Sequence, residues 1–533
     1  MVIFVNFRCT VLNIVYTFNC SPSIAGVRNH VKQWRGRYRS IHSQLQTATM
    51  SYVTQNPVNG AILKTYPTWD RAKLTSALDR VGSAQKLWAM TSFEERAELL
   101  TRVGTRLRRK RDEYAALITL EMGKLAREAR AEVEKSALTC DYYAVHAEPF
   151  LEEELIKTDA GRSYVTYMPL GTVLGIMPWN FPFWQVFRFA APTLMAGNAC
   201  LLKHASNVPQ CAEAIEAAFR DAGLPAYLFT SLFVDAEQIG EVIAHPNVQA
   251  VTLTGSEAAG RKVGSLAGQH LKKCVLELGG SDPFIVLHDA DLELAVEQAV
   301  ASRYLNCGQS CIAAKRFILV PEIADDFVQR MKIRAAQLKA GDPSNDGVHL
   351  GPMAKRALRD ELHEQVTDAV RLGATAVLGC EPGPGAGSFY PASILDHVTP
   401  AMRIYREETF GPVAIILRAT DEADAIRIAN DSEFGLASSI WSKDYNRAEI
   451  LSEQIQAGAS FINGMVRSDP RLPFGGIKAS GFGRELSYHG IREFTNAKTV
   501  WVREAGGGAE RRQQLERRRN ERRGLENVIA LAR

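Results

Sequence analysis

The alternation of strand-like and helix-like segments between residues 172 and 460 constrains the fold of this chain most. Four short apolar runs are each followed by an amphipathic or alanine-rich stretch, and they are Thr172–Met177, Ala199–Leu202, Leu228–Val234 and Ala250–Leu253. Strands that are joined through helices pair in parallel by right-handed crossovers, and helices then cover both faces of the sheet. The pattern therefore predicts an α/β fold with a parallel sheet.

A second alternating series predicts a second α/β domain. It begins with the strand Pro283–Leu287, continues through a helix near Ala290–Tyr304 and the strand Arg316–Val320, and runs to about residue 460. A chain of 533 residues is too long for one hydrophobic core, so two or three domains are expected. We place the boundary near Gly279–Gly280. Upstream, Ser92 and Glu95 form a capping box that predicts the start of an amphipathic helix.

The two ends of the chain carry its excess of positive charge. Residues 1–49 hold six Lys or Arg and no acid, and residues 503–533 hold nine Arg and five Glu, whereas the whole chain has a net charge of +4. The central part is therefore acidic, and no nucleic-acid partner is expected. Residues 1–49 have some features of a mitochondrial presequence, but we favour Met50 as the true start. The Arg-rich tail is expected to be a solvated extension.

The cysteines and the hydropathy of the chain indicate the cellular compartment in which the protein is expected. The chain has nine cysteines without regular spacing, which argues against a disulfide framework. Cys307 and Cys311 form a close pair, but no neighbouring His or Cys completes a metal set, so no metal is expected. No apolar run is long enough to cross a membrane. We expect a cytoplasmic protein, or one of the mitochondrial matrix if residues 1–49 are a genuine presequence.

Two glycine-containing segments follow predicted strands. Gly255–Gly260 lies between a strand and a helix, where backbone N–H groups and the helix dipole suit a pyrophosphate, although such a turn is often only structural. Glu277 and the Gly279-Gly280 pair end another apolar strand, at the edge where open α/β sheets bind ligands. A glutamate there either has a chemical task or caps the next turn.

Two further residues have the chemistry of a catalytic site. Cys311 ends the polar, flexible segment 306–311, which separates a predicted helix from a predicted strand. Asn180 lies in a turn that two prolines make rigid, so its amide has little freedom. Read separately, Cys311 is compatible with a small buried residue, and the turn is compatible with a cover over the core.

Together these segments resemble the aldehyde dehydrogenase superfamily over residues 53–502. The matching motifs are PWNFP at 178–182, GSEAAG at 255–260, ELGG at 277–280, GQSC at 308–311, ETFGP at 408–412 and PFGGIK at 473–478. They occur in the order that the family has, and 34 residues separate Glu277 from Cys311, as in the family. Such a combination is highly specific.

The resemblance implies an architecture. It predicts a Rossmann-type cofactor domain from residues 50–147 and 168–278, and an α/β catalytic domain from residues 279–485. A small β oligomerisation arm is expected from residues 148–167 and 486–502. The partners implied are a small aldehyde and further copies of this chain, in a homodimer or homotetramer.

The resemblance also assigns roles to residues. Cys311 is expected to be the nucleophile, Glu277 the base that activates water, and Asn180 a donor to the oxyanion together with the Cys311 backbone N–H. The cofactor is NAD or NADP, and the residues expected to bind it are Trp179, Lys203, Ser206, Gly255, Ser256, Gly260, Leu278, Glu408 and Phe410. Ser206 stands where NAD-preferring relatives often place a Glu that repels a 2′-phosphate, so NADP use is expected alongside NAD.

Within the superfamily, the chain resembles bacterial succinate semialdehyde dehydrogenases that accept NAD(P). These enzymes hold the distal carboxylate of the substrate with two arginines and a serine, and Arg188 and Ser468 match the first Arg and the Ser. Leu305 stands in place of the second Arg, and Arg303 is a candidate substitute. The alternatives are a dehydrogenase for another small or aromatic aldehyde, and an inactive structural or binding homologue.

Overall fold

The structure, a computed structural model, describes residues 51–503. The predictions for residues 1–49 and for the Arg-rich tail after Arg503 lie outside the described residues. Within the described part, none of the helices combines the length and the apolar character that a membrane crossing requires.

Four helices precede the first large sheet, and they span Arg71–Trp88, Phe93–Arg109, Arg111–Met122 and Ala126–Phe150. The capping box at Ser92 is confirmed, because the Ser92 hydroxyl accepts from the Glu95 N–H while the Glu95 carboxylate accepts from the Ser92 N–H. These helices bury aliphatic side chains in the same core as the first sheet.

The first sheet, called sheet A here, has six strands. In spatial order they are Gly481–Phe482, Lys273–Glu277, Val248–Thr254, Thr172–Met177, Ala199–His204 and Phe229–Ser231. All neighbouring pairs are parallel except the first, in which Gly481–Phe482 returns antiparallel to Lys273–Glu277. The helices associated with these strands span Trp184–Met195, Pro209–Asp221, Gln238–Ala244 and Glu257–Gln269.

Several predicted strands differ in length from the observed ones, and the reason is clear for two of them. Leu228–Val234 is reduced to Phe229–Ser231, because this strand lies at the edge of sheet A and pairs on one side only. Ala199–Leu202 extends to His204, since pairing with the central strand Thr172–Met177 continues to its last residue.

The second sheet, sheet B, has seven strands. In spatial order they are Thr375–Leu378, Ser393–Asp396, Val413–Arg418, Arg316–Leu319, Pro283–Val286, Ser438–Trp441 and Ser460–Ile462. Only Thr375–Leu378 runs antiparallel to its neighbour. The helices of this part span Leu292–Tyr304, Ala324–Ala335, Arg356–Arg371, Arg403–Arg406, Glu422–Asn430 and Tyr445–Ser452, with a 3₁₀ turn at Leu305–Gly308.

The remaining elements are small. Strands Glu154–Leu155, Arg162–Pro169 and Thr495–Val502 pair in an antiparallel three-stranded sheet, called the arm here. Two hairpin-like pairs join Ser51–Gln55 to Ile62–Pro67 and Phe434–Gly435 to Ile477–Lys478, and a last helix spans Ser487–Glu493.

Two large apolar cores accompany the two large sheets. One combines sheet A with the four preceding helices, and the other combines sheet B with its own helices. Strands that are buried on both faces read as continuous apolar runs, which is how the alternation was visible in the sequence. The predicted α/β class is confirmed.

Candidate active site

The segments singled out in the sequence meet at the carboxyl ends of the sheet A strands. The proline turn, residues 178–183, follows Thr172–Met177, and the glycine turn, residues 255–260, follows Val248–Thr254. The Gly255 N–H donates to the Glu277 carbonyl at 3.0 Å, which ties the glycine turn to the end of the next strand. Ligands of open α/β sheets bind at this edge.

The proline turn is held by a buried ion pair between the helix Ala126–Phe150 and a lysine two residues before that helix. Lys124 pairs with Glu132, and both side chains are almost fully buried. The Lys124 ammonium donates to the Asn180 carbonyl at 2.8 Å, and the Glu132 carboxylate accepts from the Phe183 N–H at 2.8 Å. Charged partners on both sides of the turn fix Asn180. Lys124 and Glu132 were not predicted, because no local pattern in the sequence marks this contact.

His204 supports the same turn from below. Its Nδ1 accepts from the Ala205 N–H at 2.9 Å, and its Nε2 lies 3.0 Å from the Pro182 carbonyl. Nδ1 also lies 3.2 Å from the Met177 carbonyl, and a neutral ring with the proton on Nε2 suits the Ala205 and Pro182 contacts. Burial lowers the pKa of His204 to about 4, so the ring remains neutral at physiological pH.

The cysteine loop, residues 305–311, has an unusual backbone that a buried arginine stabilises. Asn306, Cys307 and Gly308 all have positive φ, at 52°, 54° and 69°. A β-carbon on Gly308 would lie 2.3 Å from the Gly411 carbonyl oxygen, so only glycine fits there. Arg303 donates to the Gly308 carbonyl at 2.8 Å and also to the Gly411 carbonyl. Burial lowers the pKa of Arg303 to about 10.

Arg303 is therefore wrong as a substitute for the missing carboxylate-binding arginine. Its side chain is fully buried, and both terminal guanidinium nitrogens donate to backbone carbonyls. It does not line the cavity in which the predicted substrate residues lie.

Lys315 connects the cysteine loop to Glu408. Its buried ammonium donates to the Cys311 carbonyl at 2.7 Å and lies 3.2 Å from the Glu408 carboxylate. Glu408 also accepts from the Gly280 N–H at 3.1 Å. A β-carbon on Gly280 would lie 2.7 Å from the Cys311 carbonyl oxygen, which explains why this strand ends in glycine. Lys315 was not predicted, but a lysine at the entry of a buried strand was the available signal.

Two cavities meet at Cys311, which is partly buried. The sheet cavity, of about 300 Å³, lies at the carboxyl ends of sheet A, and the helix cavity, of about 230 Å³, lies along Ala126–Phe150 and Trp184–Met195. Among the residues from 51 to 503, Cys311 is the one that lines both. The cysteine thus stands between two binding spaces.

Six of the nine predicted cofactor residues line the sheet cavity, and they are Trp179, Gly255, Ser256, Leu278, Glu408 and Phe410. Asn180 lines it as well. The Trp179 and Phe410 rings meet edge to face at 5.8 Å between centroids. Ser256 caps the helix Glu257–Gln269, so the positive end of that helix faces the same space. These groups suit a dinucleotide: a helix N-terminus can bind phosphates, aromatic rings can pack against the bases, and a carboxylate can accept from ribose hydroxyls.

Gly260, Lys203 and Ser206 do not line the sheet cavity. A β-carbon on Gly260 would lie 2.4 Å from Leu278, so this glycine permits close packing of the helix Glu257–Gln269 on the strand end. The approach of Gly260 to a pyrophosphate stays a prediction. Lys203 is the next-to-last residue of the strand Ala199–His204, and its ammonium lies 5.7 Å from the Tyr52 ring centroid. Ser206 is exposed and lies two residues beyond that strand.

Glu277 is 2% exposed, and neither of its carboxylate oxygens has a hydrogen-bond partner among the described residues. Burial raises the pKa of Glu277 well above its ordinary value, while Arg188 opposes the shift and Glu485 adds to it. A β-carbon on Gly475 would lie 2.7 Å from the Glu277 carboxylate, so glycine makes room for it. In this conformation Glu277 lines neither cavity.

Burial raises the pKa of the Cys311 thiol to about 12, while the nearby cations Arg188 and Lys315 oppose the shift. The Asn180 amide nitrogen donates to the Gln309 carbonyl at 3.2 Å, two residues before the cysteine. The structure therefore brings Asn180 to the cysteine loop and holds a protonated thiol there.

Arg188 and Ser468 both line the helix cavity together with Leu305. The Arg188 guanidinium forms an ion pair with Glu485, and the two side chains are 2% and 3% exposed. It also donates to the Thr254 hydroxyl at 3.1 Å. The Ser468 hydroxyl accepts from Lys135, a residue that the sequence did not indicate. Arg188 thus has an internal partner, whereas its predicted partner, a substrate carboxylate, stays a prediction.

No group of three or more His, Cys, Asp or Glu side chains that could hold a metal ion occurs in the part of the chain that the structure describes.

Comparison with known proteins is consistent with this geometry. The chain is 49% identical over 449 residues to the NAD(P)+ succinate semialdehyde dehydrogenase Sad of Escherichia coli strain K12, covering 84% of this chain and 97% of that protein. It is 48% identical to a probable NADP+ succinate-semialdehyde dehydrogenase of Synechocystis, covering 85% and 100%. A crystal structure of succinic semialdehyde dehydrogenase from Streptococcus pyogenes with NADP+ superposes with a TM-score of 0.84 at 38% identity, covering 85% and 100%.

A family model agrees with these matches. Residues 45–500 match the model of the aldehyde dehydrogenase family. The resemblance that the motifs indicated is confirmed, and the chain belongs to the aldehyde dehydrogenase family.

Proposed function

We propose that this chain oxidises succinate semialdehyde to succinate with NAD+ or NADP+, through a thioester on Cys311. The observation that carries the proposal is the position of Cys311 between the sheet cavity and the helix cavity. The similar proteins from Escherichia coli and Synechocystis are named as succinate semialdehyde dehydrogenases, which supports succinate semialdehyde as the substrate. The features of the sheet cavity support the cofactor.

The first step is attack by the Cys311 thiolate on the aldehyde carbon. Because burial raises the pKa of the thiol, its proton passes to solvent water before the attack, and the nearby cations Arg188 and Lys315 favour the thiolate that remains. The carbon–sulfur bond forms, and the carbonyl oxygen becomes negative. The Asn180 amide, positioned beside the cysteine loop, stabilises this oxygen with the Cys311 backbone N–H.

Bound NAD(P)+ supplies the acceptor for the hydride that leaves the aldehyde carbon. The Cys311 adduct is oxidised to a thioester as the carbonyl re-forms. Trp179, Ser256, Leu278, Glu408 and Phe410 line the sheet cavity and would hold the cofactor next to the cysteine.

The second step is hydrolysis of the thioester. Glu277 takes a proton from water, the resulting hydroxide attacks the thioester carbon, and the carbon–sulfur bond breaks to release succinate and Cys311. A raised pKa makes Glu277 a stronger base than an ordinary glutamate. Glu277 needs a change of side-chain rotamer to reach this water, because it lines neither cavity in the conformation described.

We infer that the working enzyme is a homo-oligomer in the cytoplasm. The arm presents exposed apolar residues, namely Leu155, Met168, Trp501 and Val502, and its strand Thr495–Val502 has a free edge within the described residues. Such an edge suits pairing with another chain. The described cysteines are all unpaired, which supports a reducing compartment.

The substrate and cofactor are tested by initial rates. Succinate semialdehyde and butanal, a neutral aldehyde with the same number of carbons, are each measured with NAD+ and with NADP+. We expect kcat/KM to favour succinate semialdehyde and both cofactors to support turnover. Cys311→Ala is the inactive control. Equal or higher kcat/KM with butanal would overturn the substrate assignment.

A further inference from the structure

The helix cavity is lined by three cationic side chains, Lys135, Arg188 and Arg467, and by two acidic ones, Glu128 and Glu132. Glu132 is already paired with Lys124. Arg188 already has a buried counter-ion in Glu485. Arg467 is exposed to solvent, where a charge interacts weakly with a ligand. Lys135 differs from both, because it projects from the middle of the helix Ala126–Phe150 and is half-buried.

Lys135 has only neutral partners at close range. Its ammonium donates to the Ser468 hydroxyl at 2.8 Å and lies 4.0 Å from the centroid of the buried Trp184 ring. It forms no ion pair with any residue between 51 and 503. A lysine ammonium has three N–H donors, so donors remain for a ligand after the Ser468 bond. A partly desolvated cation without a counter-ion favours binding of an anion.

The cavity also lacks a cation where the resemblance leads one to expect it. Leu305 lines the helix cavity and is 40% exposed, so it presents an apolar side chain to this space. Lys135 comes from a different helix but lines the same cavity, as does Cys311. Lys135 on the helix Ala126–Phe150 thus supplies a positive charge to the cavity in which position 305 has none.

We propose that Lys135, together with Ser468, binds the distal carboxylate of the substrate while the aldehyde end lies at Cys311. This assignment rests on the proposed function and adds to it the residue that selects a carboxylated aldehyde. Trp184 packs against the ammonium and holds it in place.

The charges around Lys135 agree with this role. Burial, together with Arg188 and Arg467, lowers the pKa of Lys135 to about 8, while Asp469 and Glu132 oppose this shift. A bound carboxylate would raise the pKa again. The ammonium is therefore charged at neutral pH.

The test compares three variants on two aldehydes. Lys135→Met removes the charge, Lys135→Arg keeps it, and Arg130→Met is the matched control. Arg130 lies on the same helix, pairs with Asp112 and does not line the cavity. We expect Lys135→Met to lower kcat/KM for succinate semialdehyde about ten- to hundredfold, mainly through KM, and to change kcat/KM for butanal less than about threefold. Lys135→Arg should recover part of the loss, and Arg130→Met should behave as wild type.

A second measurement separates this proposal from the proposed function. Succinate is added as a competitive inhibitor of butanal oxidation, and we expect it to inhibit the wild type much more strongly than Lys135→Met. Absence of succinate semialdehyde turnover in the wild type would overturn the proposed function, whereas the succinate inhibition would still report on Lys135. Equal losses on both aldehydes, or unchanged succinate inhibition in Lys135→Met, would overturn the role of Lys135. If Lys135→Met does not fold, Lys135→Gln replaces it in both measurements.

Discussion

Arg188 and Lys135 both line the helix cavity, but they differ in what neutralises them. Glu485 already pairs with Arg188, and burial of this pair is nearly complete. Lys135 has a hydroxyl and an aromatic ring as its neighbours. At the scale of single residues, the family resemblance pointed to Arg188 as the carboxylate-binding residue. The geometry points instead to Lys135, whose ammonium has no ion-pair partner among the described residues.

This difference predicts the behaviour of Arg188→Ala. Removing the guanidinium leaves the buried Glu485 carboxylate unpaired, and loss of one partner of a buried ion pair typically costs about 3–5 kcal/mol. It also removes a cation that lowers the pKa of Cys311 and of Glu277. We therefore expect a lower free energy of unfolding in urea and a loss of kcat/KM on succinate semialdehyde and butanal alike.

The contrary result would be informative. If Arg188→Ala keeps its stability and loses activity on succinate semialdehyde alone, then Arg188 binds the substrate carboxylate directly. In that case Lys135 and Arg188 would share the ligand.

At the scale of elements, the sequence predicted the strands of sheet A and the turns at their ends. Those signals are local, because a strand that is buried on both faces is apolar throughout and a turn needs glycine or proline at fixed positions. The turns that contain Asn180 and Gly255 were found for this reason, whereas the roles of Asn180 and Cys311 came from the family resemblance. Six of the predicted cofactor residues lie together in one cavity.

The supporting side chains could not be predicted in the same way. Lys135 and Ser468 are 333 residues apart in sequence, and Lys124 reaches Asn180 across 56 residues. No local pattern marks such contacts. The short strand Gly481–Phe482 was missed for the same reason, because it pairs at the edge of sheet A with a strand that is distant in sequence. Arg303 was misjudged because proximity in sequence to the cysteine did not show which way its side chain points.

At the scale of the whole molecule, the arm presents an unpaired strand edge within the described residues. Its strand Thr495–Val502 pairs with Arg162–Pro169 over eight residues and carries the exposed Trp501. We expect sedimentation of the full-length chain to give a dimer or a larger even-numbered assembly. A monomer at micromolar concentration would contradict the role of the arm.

The two cavities and the residues between them describe a two-step reaction, in which the cysteine first carries the acyl group and water then removes it. Glu277 belongs to the second step alone in this account. Its carboxylate has no partner among the described residues, and burial raises its pKa, as a group kept for proton transfer requires.

The most direct test is therefore a single-turnover experiment with Glu277→Gln, NADP+ and succinate semialdehyde. We expect a rapid burst of NADPH close to the enzyme concentration, followed by slow turnover. Mass spectrometry should then detect a succinyl adduct on the Cys311 peptide. Wild type should give steady turnover without the adduct, and Cys311→Ala should give neither burst nor adduct. A burst-free Glu277→Gln enzyme with an unmodified Cys311 would contradict the assignment of the two residues.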